Sequence, residues 1–370
     1  MNMQKLGLAV TLWLAFAACK KATLKQSTTP LLPSSALEAV FSDNTYQLTG
    51  VAISKEGRLF TNYPLWSDTY KYAVVEIQTG NQVQPYPNTT MNSWTPGDSG
   101  INKWVSVQAV YVDPRNTLWV VDPASPKQNG VYMSSQKLVS INLSSNTVQR
   151  TYSLAGVTDN QSYINDVRVD ASGGHAYLTN SSEGGIIIVD LNTGHARQVL
   201  QGNYSVTADE TYILSIDGQQ VNKSGAPFTG NSDGIALSPH GAYLYYKPLT
   251  DKELYRIETT SLLDTTLPST VLAARVEDLG TYTTTDGMEF DKQGNLYLGD
   301  LEQHRIMKID PSLKMSVLLQ DDRLIWPDSY SISSDGYLYL STSQINKQPD
   351  FNGGTSKRTS PYAIYRIKLP

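Results

Sequence analysis

Thr285-Asp286-Gly287-Met288-Glu289-Phe290-Asp291-Lys292-Gln293-Gly294-Asn295-Leu296-Tyr297-Leu298-Gly299-Asp300 reads as strand, tight turn, strand. Met288 to Asp291 alternates, and Lys292-Gln293-Gly294-Asn295 supplies turn chemistry. Leu296-Tyr297-Leu298 then resumes with strand formers. Asp286 stands just before the first strand and Asp300 just after the second.

The same pattern occurs six times. It pairs Gly50-Val51-Ala52-Ile53 with Arg58-Leu59-Phe60, and Val107 to Val112 with Leu118-Trp119-Val120. It pairs Val167-Arg168-Val169 with Ala176-Tyr177-Leu178, and Ile235-Ala236-Leu237 with Tyr243-Leu244-Tyr245. After the opening stretch, it pairs Tyr330-Ser331-Ile332 with Tyr337-Leu338-Tyr339. The joining turns hold Gly57, Asn116, Gly173, Gly241, Gly294 and Gly336. The aromatics Phe60, Trp119, Tyr177, Tyr245, Tyr297 and Tyr339 are spaced irregularly, which means a constant unit with insertions in its loops. A third strand follows each pair, and a fourth follows most of them: Gln149 to Leu154, Ala196 to Leu200, Ala274 to Leu279 and Met315 to Leu319. The last unit stops after its third strand. Leu37 to Phe41 is the expected partner that closes the ring, N-terminus to C-terminus. The expectation is an all-β, six-bladed β-propeller with four-stranded blades, one domain over residues 37–370. Insertions fall at residues 81–103, 203–231 and 343–360.

The chain has 370 residues, 40% hydrophobic and 17% charged, with a formal net charge of −5. No basic surface for nucleic acid is expected, and the protein is expected to be monomeric. Lys5 precedes an apolar run, Leu6 to Ala18, which is short for a membrane span. Ala17-Ala18 then leads to Cys19. Residues 1–18 read as a lipoprotein-type signal peptide, with an ordinary signal peptide as the alternative. Cys19 is the expected lipidation site, and residues 19–36 a flexible tether. The expected location is the cell envelope of a bacterium, after export, with membrane contact only through the anchor at Cys19. Cys19 is the sole cysteine, so no internal disulfide is available.

A four-stranded meander puts the start of strand one and the end of strand two on the same face. Strand one lines the axis. Thr49, Gln108, Asn165-Asp166, Ser232-Asp233, Thr285-Asp286 and Pro327-Asp328 therefore ring one mouth. Four aspartates at equivalent places suggest a carboxylate ring for a cation or a polar ligand, against the plainer reading that each holds its own turn. Asp233 and Asp286 are the candidate proton-transfer groups. Gln108, Asn165, Asp166, Asp300, His304, Trp326 and Asp328 are candidate ligand contacts, with Trp119 as a further nearby aromatic. Asn165, Asp233 and Asp286 form the candidate metal set, and Ca²⁺ is the cation such oxygens would suit. His304 is the one mouth-side histidine.

Asn165-Asp166-Val167-Arg168-Val169-Asp170, Asp233-Gly234-Ile235-Ala236-Leu237-Ser238-Pro239, Leu244-Tyr245-Tyr246-Lys247-Pro248-Leu249 and Trp326-Pro327-Asp328-Ser329 resemble the major royal jelly protein/yellow family, in particular its bacterial members. The resemblance covers about residues 49–345. It implies a six-bladed propeller and secretion. Insect yellow members are associated with dopachrome conversion, and some salivary members bind biogenic amines in the central channel. A more distant resemblance is to the gluconolactonase/senescence-marker group. That group holds a divalent cation with one Glu, two Asn and one Asp. Asn165 and Asp286 match two of these, Asp233 stands at the second Asn, and Thr49 stands at the Glu. Three readings stay open. The first is a channel that binds, and isomerises, a small polar or aromatic molecule. The second is a metal-dependent lactone or ester hydrolase. The third is a non-catalytic interaction module.

Overall fold

The computed structural model describes residues 30–170 and 174–370. The signal peptide, Cys19, most of the tether and the turn residue Gly173 lie outside the described residues. Six four-stranded antiparallel sheets surround one axis. Blade 1 is Val51–Ile53, Leu59–Asn62, Val74–Gln78 and Gln82–Pro85. Blade 2 is Ala109–Val112, Thr117–Asp122, Lys137–Asn142 and Thr147–Ser153. Blade 3 is Ile164–Val169, His175–Asn180, Ile186–Asp190 and Ala196–Val199. Blade 4 is Ser232–Leu237, Tyr243–Pro248, Glu253–Glu258 and Glu277–Thr281. Blade 5 is Met288–Phe290, Leu296–Asp300, Arg305–Ile309 and Met315–Gln320. Blade 6 is Pro327–Ile332, Tyr337–Thr342 and Tyr362–Lys368, completed by Glu38–Asp43 from the other end of the chain.

That last pairing is the ring closure expected from the sequence. Phe41 stands opposite Ile364 and Asp43 opposite Tyr362. The turn residues Gly57, Asn116, Gly241, Gly294 and Gly336 all take left-handed φ, the conformation a tight hairpin demands. Apolar side chains alternate along each strand and meet those of the next blade. One buried cluster fills the gap between blades 2 and 3, another that between blades 4 and 5, and the ring continues in this way.

Three details depart from the sequence reading. The fourth strand of blade 1, Gln82–Pro85, lies inside the segment read as an insertion. Its side chains are half-exposed, so it lacks a continuous apolar signal. Two short helices, Thr259–Leu263 and Ser269–Ala273, occupy the link before the outer strand of blade 4 and delay that strand to Glu277. Part of the stretch whose composition reads as a tether is held in place: Leu31 and Leu32 donate backbone N–H groups to the carbonyls of Val317 and Leu318 on the outer edge of blade 5.

The inner strands pack backbone to backbone near the mouth. A Cβ on Gly234 would sit 2.4 Å from the Asp286 carbonyl oxygen, and one on Gly287 would sit 2.4 Å from that of Asp328. Neither glycine needs a left-handed φ. Each is required because the next blade's backbone approaches too closely for a side chain. The Asp-Gly pairs are therefore contacts between blades rather than turns. Gly287→Ala is expected to destabilise the fold by about 1–3 kcal/mol or more, as overpacking does, read by chemical denaturation. An unchanged midpoint would show that the blades can separate locally at no cost.

Candidate functional site

Bulges aim the aspartates at the axis. The register slips between Ile164 and Val167, between Ser232 and Ile235, and between Pro327 and Tyr330. Each slip frees two residues from the ladder, and Asp166, Asp233 and Asp328 are among them. Hydroxyls from the second strand hold the bulges. Thr179 Oγ1 accepts from the Asp166 N–H (3.2 Å) and donates to the Asp233 carbonyl (2.8 Å) in the next blade. Ser341 repeats the device, accepting from the Ser329 N–H (3.1 Å) and donating to the Thr49 carbonyl.

The four carboxyls converge. Asp166, Asp233, Asp286 and Asp328 are 8%, 4%, 5% and 5% exposed. Burial pushes each of them up from the ordinary carboxylate range. For Asp233, Asp286 and Asp328 the neighbouring acids add to the effect. Cations do little to offset it. Arg168 acts on Asp166, but its donors go to the Val167 carbonyl (2.8 Å) and the Met288 carbonyl (2.5 Å), and it pairs with Glu289 (3.4 Å). Its guanidinium lies 4.9 Å from the Tyr111 ring centroid, so one side chain links blades 2, 3 and 5 across the channel. Lys247 sits near Asp233, but it donates to the carbonyls of Pro248 and Asp251, both at 2.7 Å.

Asp233 and Asp286 face each other. Asn165 Nδ2 donates to Asp233 Oδ2 (2.8 Å), and Trp326 Nε1 donates to Asp286 Oδ2 (2.7 Å). Asp233 Oδ1 has no donor. The two carboxyls can share a hydrogen bond only if one is protonated, and both are raised by burial and by neighbouring acids, so the pair titrates as a unit. Asp328 Oδ2 also lacks a donor. Trp326 holds a left-handed φ of 57° although it is bulky and buried. Such strain persists where surrounding contacts over-determine it, here the indole bond to Asp286 and ring contacts with Phe228 (6.2 Å) and Phe351 (6.4 Å).

Above this floor opens a cavity of about 500 Å³, a size that suits a small-molecule ligand. Gln108, Asn165, Asp233 and Asp286 line it, as do Trp66, Tyr163, Phe228 and Phe351. Trp66 Nε1 donates to the Tyr163 hydroxyl (2.8 Å), which donates to Gln108 Oε1 (2.7 Å). The insertions supply much of the wall. Residues 203–231 and 343–360 share a buried cluster with Leu301 and Trp326 that fastens them over the mouth.

The remaining candidates lie elsewhere. Asp166 and Asp328 belong to the ring but not to the cavity wall. Asp300 is buried beside Arg305, 3.9 Å away, and outside the wall. His304 is also outside it: Nε2 meets Asp217 Oδ1 at 2.7 Å and Nδ1 meets the Leu324 carbonyl at 3.0 Å, which ties an insertion to blade 5. Trp119 points to the opposite face, where its indole donates to Asp113 (3.0 Å) in the turn between strands one and two.

The donors fit a metal poorly. Asn165 turns its nitrogen toward Asp233, and Trp326 occupies Asp286 Oδ2. Thr49 is buried and spends its hydroxyl on the Gln108 carbonyl (2.8 Å). Among the described residues no three His, Cys, Asp or Glu side chains gather as a cage.

Fold and site together define a six-bladed propeller with an acid-floored cavity at one mouth. The chain belongs to the major royal jelly protein family, whose profile matches residues 105–360. It is 26% identical over 198 residues to major royal jelly protein 5 of Apis mellifera, covering 49% of this chain and 30% of that protein. Against major royal jelly protein 7 of the same bee it is 24% identical over 241 residues, covering 61% and 51%. The chain thus spans about a third to a half of the length of these relatives. Similar solved structures include a gluconolactonase from Xanthomonas campestris (TM-score 0.55, 11% identity, 90% of this chain and 89% of that one). A calcium-binding regucalcin from Agrobacterium tumefaciens is also similar (TM-score 0.52, 10% identity, 92% and 96%). So is virginiamycin B lyase from Staphylococcus aureus (TM-score 0.51, 10% identity, 90% and 99%). At such identities the likeness is one of fold.

Raised carboxyls mean that the native state keeps protons which the unfolded chain releases above about pH 4. Stability therefore falls as pH rises from about 4 through the raised native values, by up to about 1.4 kcal/mol per pH unit for each proton retained. Asp328→Asn is expected to melt higher than wild type at about pH 8 and level with it at about pH 4. A wild-type slope in the variant would remove Asp328 from the set of retained protons. Millimolar Ca²⁺ is expected to leave the melting temperature unchanged; a clear rise would mean that the ring rearranges around a cation.

Proposed function

We propose that the protein binds a small polar or aromatic molecule in this cavity, with an amine or hydroxyl on the Asp233 and Asp286 carboxyls. The carrying observation is the facing pair itself: two buried acids, one oxygen without a donor, at the floor of an aromatic-walled cavity. An ammonium gains charge-assisted hydrogen bonds from the acids and contact with the rings. Membership of the royal jelly family supports a channel ligand of this kind.

The same pair is equipped for tautomerisation of the dopachrome-conversion type. Asp286, in its ionised form, removes a proton from carbon. Asp233, in its protonated form, delivers a proton to the developing enolate oxygen. Delivery of the first proton from Asp286 to a different carbon, with the enol O–H proton returning to Asp233, completes an isomerisation that restores both carboxyls and consumes no co-reactant. Export and anchoring through Cys19 complete the proposal: the cavity would then work outside the cytoplasm.

Calorimetry with tyramine and dopamine tests binding, and the absorbance decay of dopachrome tests turnover. Asp286→Asn is expected to weaken amine binding about tenfold or more, the worth of a charged hydrogen bond, with an unchanged circular dichroism spectrum. Wild-type protein that gives neither heat nor a faster decay would leave the interaction-module reading in its place.

A further inference from the structure

The cavity has two electrically different ends. Asp233 and Asp286 form the floor. Among the described residues of the wall, Lys223 is the one cationic side chain. It comes from the short hairpin Asn222–Lys223 and Ala226–Pro227 in the insertion at 203–231. Three elements hold its ammonium over the mouth. Nζ donates to Gln128 Oε1 (2.8 Å) from the loop after strand two of blade 2. The Phe351 ring lies 5.7 Å away, from the insertion at 343–360. The Ser224 N–H beside it donates to the Asp350 carbonyl (2.8 Å). Gln128 is itself held at a left-handed φ of 57°. The arrangement is built: a half-buried lysine is fixed between two loops, with one N–H spent on Gln128 and others left to donate.

We infer that Lys223 is a specificity-determining residue that recognises a carboxylate on the ligand, at the end opposite the group held by Asp233 and Asp286. This rests on the reading that the cavity binds a small molecule. Partial burial lowers the lysine pKa, and the nearby Asp350 carboxylate offsets this only in part, so an incoming anion still has something to compensate. A single ammonium among side-chain amides suits a mono-anion. Among its described residues the wall offers no arginine fork, the group that a phosphate would favour. The ligand class is therefore a flat or aromatic body with an amine or hydroxyl at one end and a carboxylate at the other.

Two probes isolate the carboxylate. 2-Phenylethylamine and 4-(2-aminoethyl)benzoate differ only by that group on the far side of the ring. The wild-type protein is expected to bind the benzoate about tenfold tighter by calorimetry. Lys223→Met keeps the stem against Phe351 and removes the charge. It is expected to erase the benzoate's advantage while leaving 2-phenylethylamine within about twofold. Lys223→Arg is expected to keep the preference in part. Equal affinities in the wild type, or equal losses for both probes in Lys223→Met, would overturn the assignment while leaving the floor site standing. Binding of neither probe by a wild-type protein that melts normally would remove both readings together.

Discussion

Closing six sheets around one axis forces the starts of six inner strands into contact. No other constraint in the molecule has as many consequences. It brings the backbone of one blade against Gly234 and Gly287 of its neighbours. It places four carboxyls where water is scarce and where each feels the others. Hydroxyls such as Thr179 and Ser341 then tie each bulge to the next blade. The acid floor follows from the way the ring is closed, not from any one loop.

Charge at the centre is balanced unevenly. Arg168 is shared between Asp166, Glu289 and the Tyr111 ring, so that side of the channel has its counter-ion. Among the described residues, the donors to Asp233, Asp286 and Asp328 are neutral: Asn165, Ser181, Trp326 and Ser343. A protein maintaining its fold alone would neutralise or replace such groups, because buried unpaired acids are costly. Two of them, Asp233 and Asp286, lie at the bottom of a cavity, which is the ground of the ligand site proposed above, and the strained Trp326 bonds to Asp286 there.

Much of the fold was legible because the blades repeat. Each inner hairpin carries alternating apolar residues and a left-handed turn residue, and both signals are local. The outer strand of blade 1 was not legible, since Gln82–Pro85 is polar and half-exposed. The helices of blade 4 are five residues each, too short to show a period. Of the candidate residues, the recurring aspartates came forward by register alone. Trp66, Tyr163, Lys223, Phe228 and Phe351 did not, since they lie outside the repeating pattern and nothing local marks them. Trp119 shows the opposite failure. It is expected near the acidic ring as a further aromatic, but its indole follows Asp113 to the other face.

By itself, then, the sequence determined the six-fold architecture, the closing strand and the positions of the four acids, because periodicity and turn chemistry act over a few residues. Only the tertiary structure decided which acids meet. Asp233 and Asp286 come from different blades, and their pairing depends on how closely two backbones approach. It also decided what encloses them. The walls are drawn from insertions that carry no pattern of their own and acquire their place through the apolar cluster around Leu301 and Trp326. Contacts between distant segments are set by packing, and packing is the part of the physics that a linear pattern does not contain.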